Sequence, residues 1–432
     1  MLEQGRITRR PRRPTQPAGP STLFEIDPLT AWAREERELS PDIAAALAAT
    51  GVAKVIPLDT PGRWTVETES RVGIVVGRGW ELRIRPRMAI PKLMFLLAYS
   101  RNPAGWADAI ADMDTERDVL EALAAGFAIH AQAAVERGVL HGYIGVEDRL
   151  NHLRGRVRFG DQLARLPGLP LPVEVSFDEF TPDVIENRLL RTAAETLLAF
   201  PRIPSKSRSR LMRLRAVLEN VTVIPDRRSA QIPPITRLNK RYEPALVLAK
   251  LVLDGVSLRQ DHGRAPATSF LFDMNEVFES FVYAALREAL REYGGSVERQ
   301  AAGELDTAPT PALRFRADVV WRSRGAVRAV IDSKYKPLSA GGTMPNADAY
   351  QMLAYCVGFG LRRGFLVYAR DTGTEPRLHR VKRHGYEIDV EALDVELEPE
   401  KLLHQVDALA TRIAAPLTRT LSLSTESFSP SL

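Results

Sequence analysis

Two aspartates and a lysine form the pattern with the clearest chemical use in this sequence. Asp332 and Lys334 are two residues apart at the end of the apolar run Val330-Ile331, and Asp318 lies upstream of them. Residues two apart on a strand project from the same face of a sheet. If the intervening Ser323-Arg324-Gly325 is a tight turn of an antiparallel hairpin, Asp318 lies near Val330 and diagonal to Asp332, within roughly 7–8 Å.

Two carboxylates at this spacing suit a divalent metal ion. Magnesium prefers hard oxygen ligands and keeps several waters, so Asp318 and Asp332 with water and a substrate phosphate would complete its shell. Beside such an ion, Lys334 would orient an attacking water, lower its pKa or stabilise charge on a phosphate oxygen. An Asp-x-Lys match alone is usually structural. Here Asp332 follows an apolar strand, where an unpaired carboxylate would be costly, and this favours function.

The elements on either side of the hairpin add polar residues to this set. Glu279 lies at the edge of the apolar stripe of a long upstream helix and would supply a third acidic group. On the helix that follows the hairpin, Asp348, Gln351 and Tyr355 recur at spacings of three and four. These three side chains therefore share one polar face of that helix.

This ordered set resembles the PD-(D/E)xK nuclease superfamily and, more closely, the McrC family, the nuclease subunit of modification-dependent restriction systems. Ala317 replaces the usual Pro before the first Asp, a position that is not a ligand, and Asp332 is one of the two acids that the motif permits. The resemblance covers most of residues 75–390 and rests on six stretches: Leu153–Arg156, Glu186–Leu190, Asn275–Glu279, Arg316–Val320, Val330–Lys336 and Tyr350–Tyr355.

The resemblance implies a Mg²⁺-dependent DNA endonuclease subunit. In such an enzyme Lys334 would be the catalytic lysine, Glu279 an outer acid, and Gln351 would orient the site or a phosphate. Catalytic roles would fall to Asp318, Asp332, Lys334, Glu279 and Gln351, and metal ligation to Asp318, Asp332 and Glu279.

The resemblance also implies a partner. McrC-like proteins pair with a hexameric AAA+ GTPase of the McrB type, which they stimulate and whose movement on DNA triggers cleavage. We therefore expect an McrB-like hexamer, double-stranded DNA, methylated or unmethylated, and a homodimer formed through the nuclease domain. The chain has no Walker A pattern, G-x-x-x-x-G-K-[ST], so we expect it to bind no nucleotide itself and to need a separate motor.

The predicted elements divide the chain into five parts. The first folded part is an α+β domain with a small twisted sheet or partial barrel, which is expected to contact the motor. A helical basic linker follows it. The C-terminal part is an α/β PD-(D/E)xK domain with a mixed sheet flanked by helices. The five parts are a disordered basic N-terminus (1–22), the α+β domain (23–180), the linker (181–268), the nuclease domain (269–417) and a flexible tail (418–432).

Hydrophobic periodicity and turn residues predict the individual elements. The predicted helices are Trp32–Thr50 with a break at Ser40-Pro41, Pro91–Ser100, Thr115–Arg137, Val184–Ala199, Ser205–Asn220, Tyr242–Leu253, Leu271–Tyr293, Ala347–Phe359 and one from Pro399. The predicted strands are Val52–Leu58, Trp64–Glu69, Val72–Val76, Trp80–Arg85, Tyr143–Leu150, His152–Phe159, Val173–Phe180, Leu313–Trp321, Val327–Lys334, Phe365–Ala369, Leu378–Lys382 and Tyr386–Val390. The segment Gly255–Ala267 is predicted to be a connector.

The net charge of +5 conceals a basic segment. Residues 200–241 contain eleven Lys and Arg against two acids, and the remainder beyond the arginine-rich start is acidic. This density suits contacts with DNA phosphates, although a solvated face that compensates the acidic remainder explains it equally well. The residues predicted to contact DNA are Arg208, Arg210, Arg213 and Arg215 on one helix, together with Tyr355.

Composition excludes several classes of protein. With 45% apolar residues over 432 positions, the chain is neither wholly disordered nor a disulfide-stapled miniprotein. Its one cysteine, Cys356, is expected to be a core side chain in a reducing compartment, which favours a cytoplasmic location. Apolar runs such as Leu93–Tyr99 are shorter than the about 18 residues of a membrane span, so no membrane contact is expected.

Two other functions fit the same residues. The first is a non-enzymatic adaptor that keeps the nuclease fold and activates the AAA+ partner. The second is a stand-alone basic nuclease without a motor.

Overall fold

The protein is described by a computed structural model. The described residues are 24–110, 118–165, 168, 170–227, 229–259, 267–306, 313–335, 344–369, 377–382 and 385–415, with the backbone alone for 257–259 and 267. The predicted basic N-terminus (1–22) and tail (418–432) lie outside them.

The described part of the chain combines several sheets with interleaved helices. Its strands are β1 (Phe24–Thr30), β2 (Arg34–Glu38), β3 (Ala53–Pro57), β4 (Arg63–Thr68), β5 (Arg71–Gly77), β6 (Trp80–Arg85), β7 (Gly142–Leu150), β8 (Arg156–Val157), β9 (Val173–Thr181), β10 (Val256–Arg259), β11 (Ala267–Asp273), β12 (Ser296–Glu304), β13 (Arg314–Ser323), β14 (Ala326–Lys334), β15 (Arg363–Ala369), β16 (Arg377–Arg380) and β17 (Glu387–Leu393). Its α-helices are α1 (Pro41–Ala49), α2 (Ile90–Arg101), α3 (Trp106–Ile110), α4 (Val119–Glu136), α5 (Phe159–Arg165), α6 (Ile185–Leu198), α7 (Ser205–Val217), α8 (Glu243–Gly255), α9 (Met274–Ala289), α10 (Asn346–Phe359) and α11 (Pro399–Ala414). Two short 3₁₀ helices, Lys240–Tyr242 and Leu290–Tyr293, complete the set.

The N-terminal strands form two sheets rather than the single small sheet or barrel that was predicted. One sheet has the order β2-β4-β3, and the other has the order β1-β6-β5-β11-β10. The predicted helix from Trp32 was wrong in its first part, because β2 pairs antiparallel with β4. All five residues of β2 are charged, so the sequence shows no alternation of apolar and polar residues there, although exposure does alternate along the strand. The helix begins only at Pro41, where Ser40 Oγ accepts a hydrogen bond from the backbone N–H of Ile43 at 3.4 Å.

The five-stranded sheet takes its last two strands from far along the chain. β10 lies in the predicted connector, and β11 occupies the predicted start of the long helix, so both expectations were wrong there. β11 pairs antiparallel with β5, and a Cβ at Gly73 would lie 2.0 Å from the Phe270 carbonyl oxygen. Only glycine, here at φ 133°, permits this approach. The boundary predicted between residues 268 and 269 falls inside β11, and the division into domains stays a prediction.

Helices α2, α4, α6 and α8 pack into a core shared with the N-terminal sheets. Among the described residues, α4 is the one helix long and apolar enough to cross a membrane. Its 18 residues are 61% buried inside the protein, where it packs against α7 and α8. Burial on this scale is typical of a core helix.

A third sheet has the order β7-β9-β8. The predicted strand His152–Phe159 was mostly wrong, because Arg156–Val157 alone pairs there and the chain then enters α5. This segment is rich in charged residues, so neither strand nor helix periodicity identifies it.

The C-terminal sheet is mixed, with the order β12-β13-β14-β15-β17-β16. Its first three strands are antiparallel, whereas β14, β15 and β17 run parallel. Helices α9 and α11 cover one face and α10 covers the other. The predicted mixed sheet flanked by helices is therefore confirmed, but edge strand β12 was missed because it is polar and mostly exposed.

Asp183 fastens the start of α6 to the chain beyond α7. It accepts hydrogen bonds from Arg188 Nε at 2.9 Å, and from the backbone N–H and Oγ1 of Thr222, both at 2.7 Å. Although burial alone would raise its pKa, these donors lower the pKa of Asp183 to about 2.

We expect Asp183→Ala to lower the free energy of unfolding by on the order of 1–2 kcal/mol at pH 7, because charge-assisted hydrogen bonds at a partly exposed site are lost. A folded-state pKa below the unfolded value means that this stability is present above about pH 4 and is lost as pH falls toward 2. Urea titrations of both proteins at pH 7 and pH 3 test this. An equal difference at the two pH values would contradict it.

Candidate active site

The β13–β14 hairpin brings the two aspartates directly opposite each other. Arg324 and Gly325 form its turn, with φ of 53° and 75°, and the register shifts at a bulge between Trp321 and Arg322. Beyond the bulge Val319 pairs with Ile331, and continuing this register sets Asp318 opposite Asp332. The prediction that Asp318 lies near Val330 was therefore wrong by two residues. The turn has two residues, Arg324 and Gly325, where three were expected, and this moves the pairing of the strands by one residue. The bulge moves it by one more.

Asp332 is a fully buried carboxylate beside one cation. It is 0% exposed, and Lys334 Nζ lies 2.8 Å from its Oδ2 as an ion pair. Neither Asp332 oxygen accepts a hydrogen bond of ordinary geometry from the described residues. Burial, followed by the Asp318 carboxylate, raises the pKa of Asp332 to about 7, against the opposing effect of Lys334. Lys334 thus occupies one side of Oδ2, and Oδ1 has no hydrogen-bond partner among the described residues, which leaves it for a further electropositive partner.

Asp318 is held by the strand that carries Asp332. Its Oδ2 accepts hydrogen bonds from the Ser333 backbone N–H at 2.9 Å and from Ser333 Oγ at 3.2 Å. Burial, then Glu279, raises its pKa, whereas Ser333 and Lys334 act in the opposite direction. A half-buried carboxylate, Asp318, and a fully buried one, Asp332, therefore share one end of the hairpin.

Among the described residues, Gln300 forms the hydrogen-bond link between Glu279 and this pair. The amide Nε2 of Gln300 donates to Glu279 Oε1 at 2.6 Å and lies 3.4 Å from Asp318 Oδ1. Arg299 Nε also donates to Glu279 Oε1, at 3.2 Å. Sequence reasoning missed Gln300 because it missed β12. The Gly294-Gly295 pair before that strand was the available signal.

Helix α10 supplies a chain of hydrogen bonds to Lys334. Gln351 Oε1 accepts from Lys334 Nζ at 3.1 Å, and Gln351 Nε2 donates to the Tyr355 hydroxyl at 2.6 Å. That hydroxyl in turn donates to the Arg316 carbonyl at 2.8 Å. Tyr355 is only 3% exposed, so its predicted contact with DNA is corrected: the tyrosine holds Gln351 within the protein.

The polar face predicted for α10 points toward the sheet. Asp348 is 4% exposed and accepts a hydrogen bond from the Tyr368 hydroxyl at 2.6 Å. Cys356 is fully buried on the same helix, and burial raises its pKa to about 12, which confirms the expected core role.

These residues fit a metal ion that takes few protein ligands. Asp318 and Asp332 offer hard carboxylate oxygens, and Asp332 Oδ1 has no hydrogen-bond partner in the described part of the chain. In the described ranges, no three His, Cys, Asp or Glu side chains are grouped to hold one ion. A two-carboxylate set suits Mg²⁺, which keeps waters and binds substrate phosphate. Glu279 does not join this set as the structure places it.

The basic residues of α7 divide between two faces. Arg208 donates to the Phe200 carbonyl at 2.6 Å and to the Pro201 carbonyl at 3.0 Å, so it caps the end of α6. Arg215 Nη1 lies 3.8 Å from Glu195 Oε2, which belongs to α6. Arg213 is exposed and Arg210 is half-exposed, and neither forms an ion pair or hydrogen bond with the described residues, which leaves these two for an external anion.

A family comparison extends this picture over most of the chain. The model of the family described as McrBC 5-methylcytosine restriction system component matches residues 66–369, which include both aspartates, the lysine and Gln351. The chain belongs to this family. The McrC resemblance read from the six stretches is thereby confirmed, and the protein is an McrBC restriction-system component.

One of two similar solved structures supports the fold of this McrBC component. A chain of the Thermococcus gammatolerans McrB AAA+ hexamers with bound McrC matches with a TM-score of 0.55 at 17% identity, covering 89% of this chain and 100% of that one. A second chain, from the McrBC complex of the same organism, matches with a TM-score of 0.39 at 21% identity, covering 61% and 88%. None of the curated proteins compared matches. The first likeness establishes the fold alone, since its identity is low.

In the metal-free protein, we expect the buried Asp332 charge to weaken folding as pH rises. Its pKa of about 7 exceeds the unfolded value of about 4, so the stability associated with its proton is complete below about pH 4 and is lost as pH rises through 7. Asp332→Asn removes this titration. With EDTA present, the variant should gain stability relative to wild type between pH 5 and pH 8 in urea titrations.

Wild type is the reference for Asp332→Asn, because the two proteins differ in this one titrating group. Parallel pH profiles for the two proteins would contradict the expected titration of Asp332.

Proposed function

We propose that this McrBC component is a Mg²⁺-dependent DNA endonuclease with a PD-(D/E)xK site at the end of the β13–β14 hairpin. The observation that carries the proposal is Asp332, a fully buried carboxylate opposite Asp318 and 2.8 Å from Lys334, whose oxygens accept no hydrogen bond of ordinary geometry from the described residues. Lys334 compensates one of the two carboxylates, and holding a second negative charge beside the first is costly without a further partner, so a purely structural role explains the site poorly.

Each residue then has a separate task. Asp318 and Asp332 supply oxygen ligands, and the bound ion would polarise the scissile phosphate and activate a water. Burial alone would lower the pKa of Lys334, but Asp332 and Asp318 outweigh it and raise that pKa. Lys334 therefore acts as a fixed cation that stabilises charge on a phosphate oxygen. Gln351 orients its ammonium, and Glu279 serves as the outer acid through Gln300.

The partner that we propose is an McrB-like hexameric AAA+ GTPase. In the Thermococcus gammatolerans assembly, McrB AAA+ hexamers carry bound McrC. We propose the same arrangement here, with motor contact through the N-terminal part of the chain and double-stranded DNA as substrate. A homodimer through the nuclease domain would supply the second site that cutting both strands requires.

We expect Lys334→Ala and Asp332→Ala to lower the rate of Mg²⁺-dependent DNA cleavage by about a hundredfold to a thousandfold, because the first removes the cation at the reacting phosphate and the second removes a metal ligand. The assay contains the full chain, an McrB-like AAA+ partner, GTP, and methylated or unmethylated DNA. Arg328→Ala is the control, since Arg328 is an exposed cation on the same strand.

The same variants separate the nuclease from a non-enzymatic adaptor. Lys334→Ala should still stimulate the GTPase of the partner while it fails to cleave. Undiminished cleavage by both site variants would exclude the proposed site, and wild-type protein that stimulates the motor without cutting DNA would favour the adaptor.

The outward face of α7 gives a test of DNA contact. We expect the double variant Arg210→Gln/Arg213→Gln to bind DNA more weakly. The slope of log affinity against log salt concentration should become shallower by up to about two, since each phosphate contact contributes about 0.9 to it. Fluorescence anisotropy across a salt series measures this. Arg78→Gln, an exposed arginine in the β5–β6 turn, should change neither quantity. An unchanged slope in the double variant would identify α7 as a solvated face.

A further inference from the structure

Trp32 adopts a backbone conformation that its residue type rarely takes. Its φ is 57°, in the left-handed region that glycine and asparagine occupy most easily and that is unfavourable for a bulky side chain. Such strain persists only where the surrounding contacts stabilise it, and it is common at functional positions. A tryptophan at a position suited to glycine indicates that the indole ring itself is needed.

The turn that presents Trp32 is fastened to both N-terminal sheets. The backbone N–H of Trp32 donates to the Glu69 carbonyl at 3.1 Å, and that of Ala31 donates to the Arg85 carbonyl at 2.9 Å. Thr68 Oγ1 donates to the Thr30 carbonyl at 2.7 Å. The ring is therefore held at a fixed place where the two sheets meet.

From this turn the ring reaches the strand of the candidate active site. The Trp32 and Tyr335 rings lie 5.5 Å apart between centroids, and Tyr335 follows Lys334 directly. The Tyr335 ring lies 5.8 Å from that of Phe278, which precedes Glu279 on α9. Arg87 covers Trp32, with its guanidinium carbon 5.7 Å from the ring centroid. Three aromatic rings thus link the N-terminal sheets to two elements of the site.

The contact lies behind the site rather than in it. Because side chains alternate along a strand, Tyr335 points to the α9 side of the sheet while Asp332 and Lys334 point to the α10 side. Tyr335 belongs to the core shared with Phe278, whereas Val330 and Tyr355 belong to the other core. Holding Tyr335 from behind therefore fixes the backbone of β14 at the position where Lys334 leaves it.

We propose that Trp32 is a positioning residue, which acts through Tyr335 to hold the end of β14, and hence Lys334, in the geometry that cleavage needs. The inference rests on the proposed nuclease function. It also makes the N-terminal sheets a part of the chain that controls the site, because any partner that shifts the Trp32 turn shifts the ring behind Lys334.

The first test reports on β14 without using nuclease activity. Trp32→Gly removes the ring and leaves a residue that suits the left-handed backbone, so the N-terminal sheets should stay folded. Hydrogen exchange of the full chain, followed by mass spectrometry, should show faster exchange in peptides covering residues 331–335 and unchanged exchange in β5. Trp32→Phe should restore slow exchange.

The second test separates positioning from substrate binding. In the complex with the AAA+ partner, Trp32→Gly should lower the cleavage rate at saturating DNA by about tenfold to a hundredfold, as small misplacements of reacting groups do. Its Kd for DNA should stay unchanged, and Trp32→Phe should recover most of the rate. Trp64→Ala is the matched control, since Trp64 is a partly buried tryptophan on β4 whose Nε1 donates to the Leu39 carbonyl, away from β14.

Unchanged exchange at residues 331–335 in Trp32→Gly, or an equal loss of cleavage in Trp64→Ala, overturns the role of Trp32. If wild-type protein itself shows no Mg²⁺-dependent cleavage, the proposed function fails, while the exchange result still decides whether Trp32 holds β14.

Discussion

The burial of the Asp332 charge is the constraint on which the rest of the C-terminal structure depends. A carboxylate with 0% exposure is tolerated only where the fold supplies compensating charge and excludes competing water. Lys334 supplies that charge from the same strand and is itself held by Gln351. Because the strand is covered on both faces, the Asp332 carboxylate cannot turn out to solvent without disturbing the sheet. Lys334 keeps 21% of its side chain exposed, so the site lies where the core meets the surface.

Close packing of α10 makes that arrangement possible. A Cβ at Gly364 would lie 2.3 Å from Met352 Sδ, so glycine on β15 lets the helix approach the sheet. The approach buries Tyr355, whose hydroxyl bridges the Arg316 carbonyl and Gln351. On the opposite face α9 brings Glu279 to Gln300 and Phe278 to Tyr335. Helices on both faces of the sheet thus hold the ends of β13 and β14 in place.

The N-terminal sheets and the C-terminal sheet form one continuous structure. Residues of both pack in a single apolar core, and β11, which leads into α9, is itself a strand of the N-terminal sheet. Because β11 runs directly into α9, the N-terminal sheet and the helix that bears Glu279 are joined through the backbone as well as through the shared core.

The sequence by itself determined the family, the order of most elements and several residues that the structure brings together at the candidate site, because the apolar strand ending in Asp332-Ser333-Lys334 and the spacing of Gln351 and Tyr355 are local patterns. Only the tertiary structure decided the hairpin register, the burial of Tyr355, the two faces of α7 and the strands β2, β11 and β12. Register depends on a bulge, and polar or edge strands carry little periodicity, so their partners are chosen by distant residues. The contact of Trp32 with Tyr335 joins residues about 300 positions apart, and no local pattern encodes such a contact.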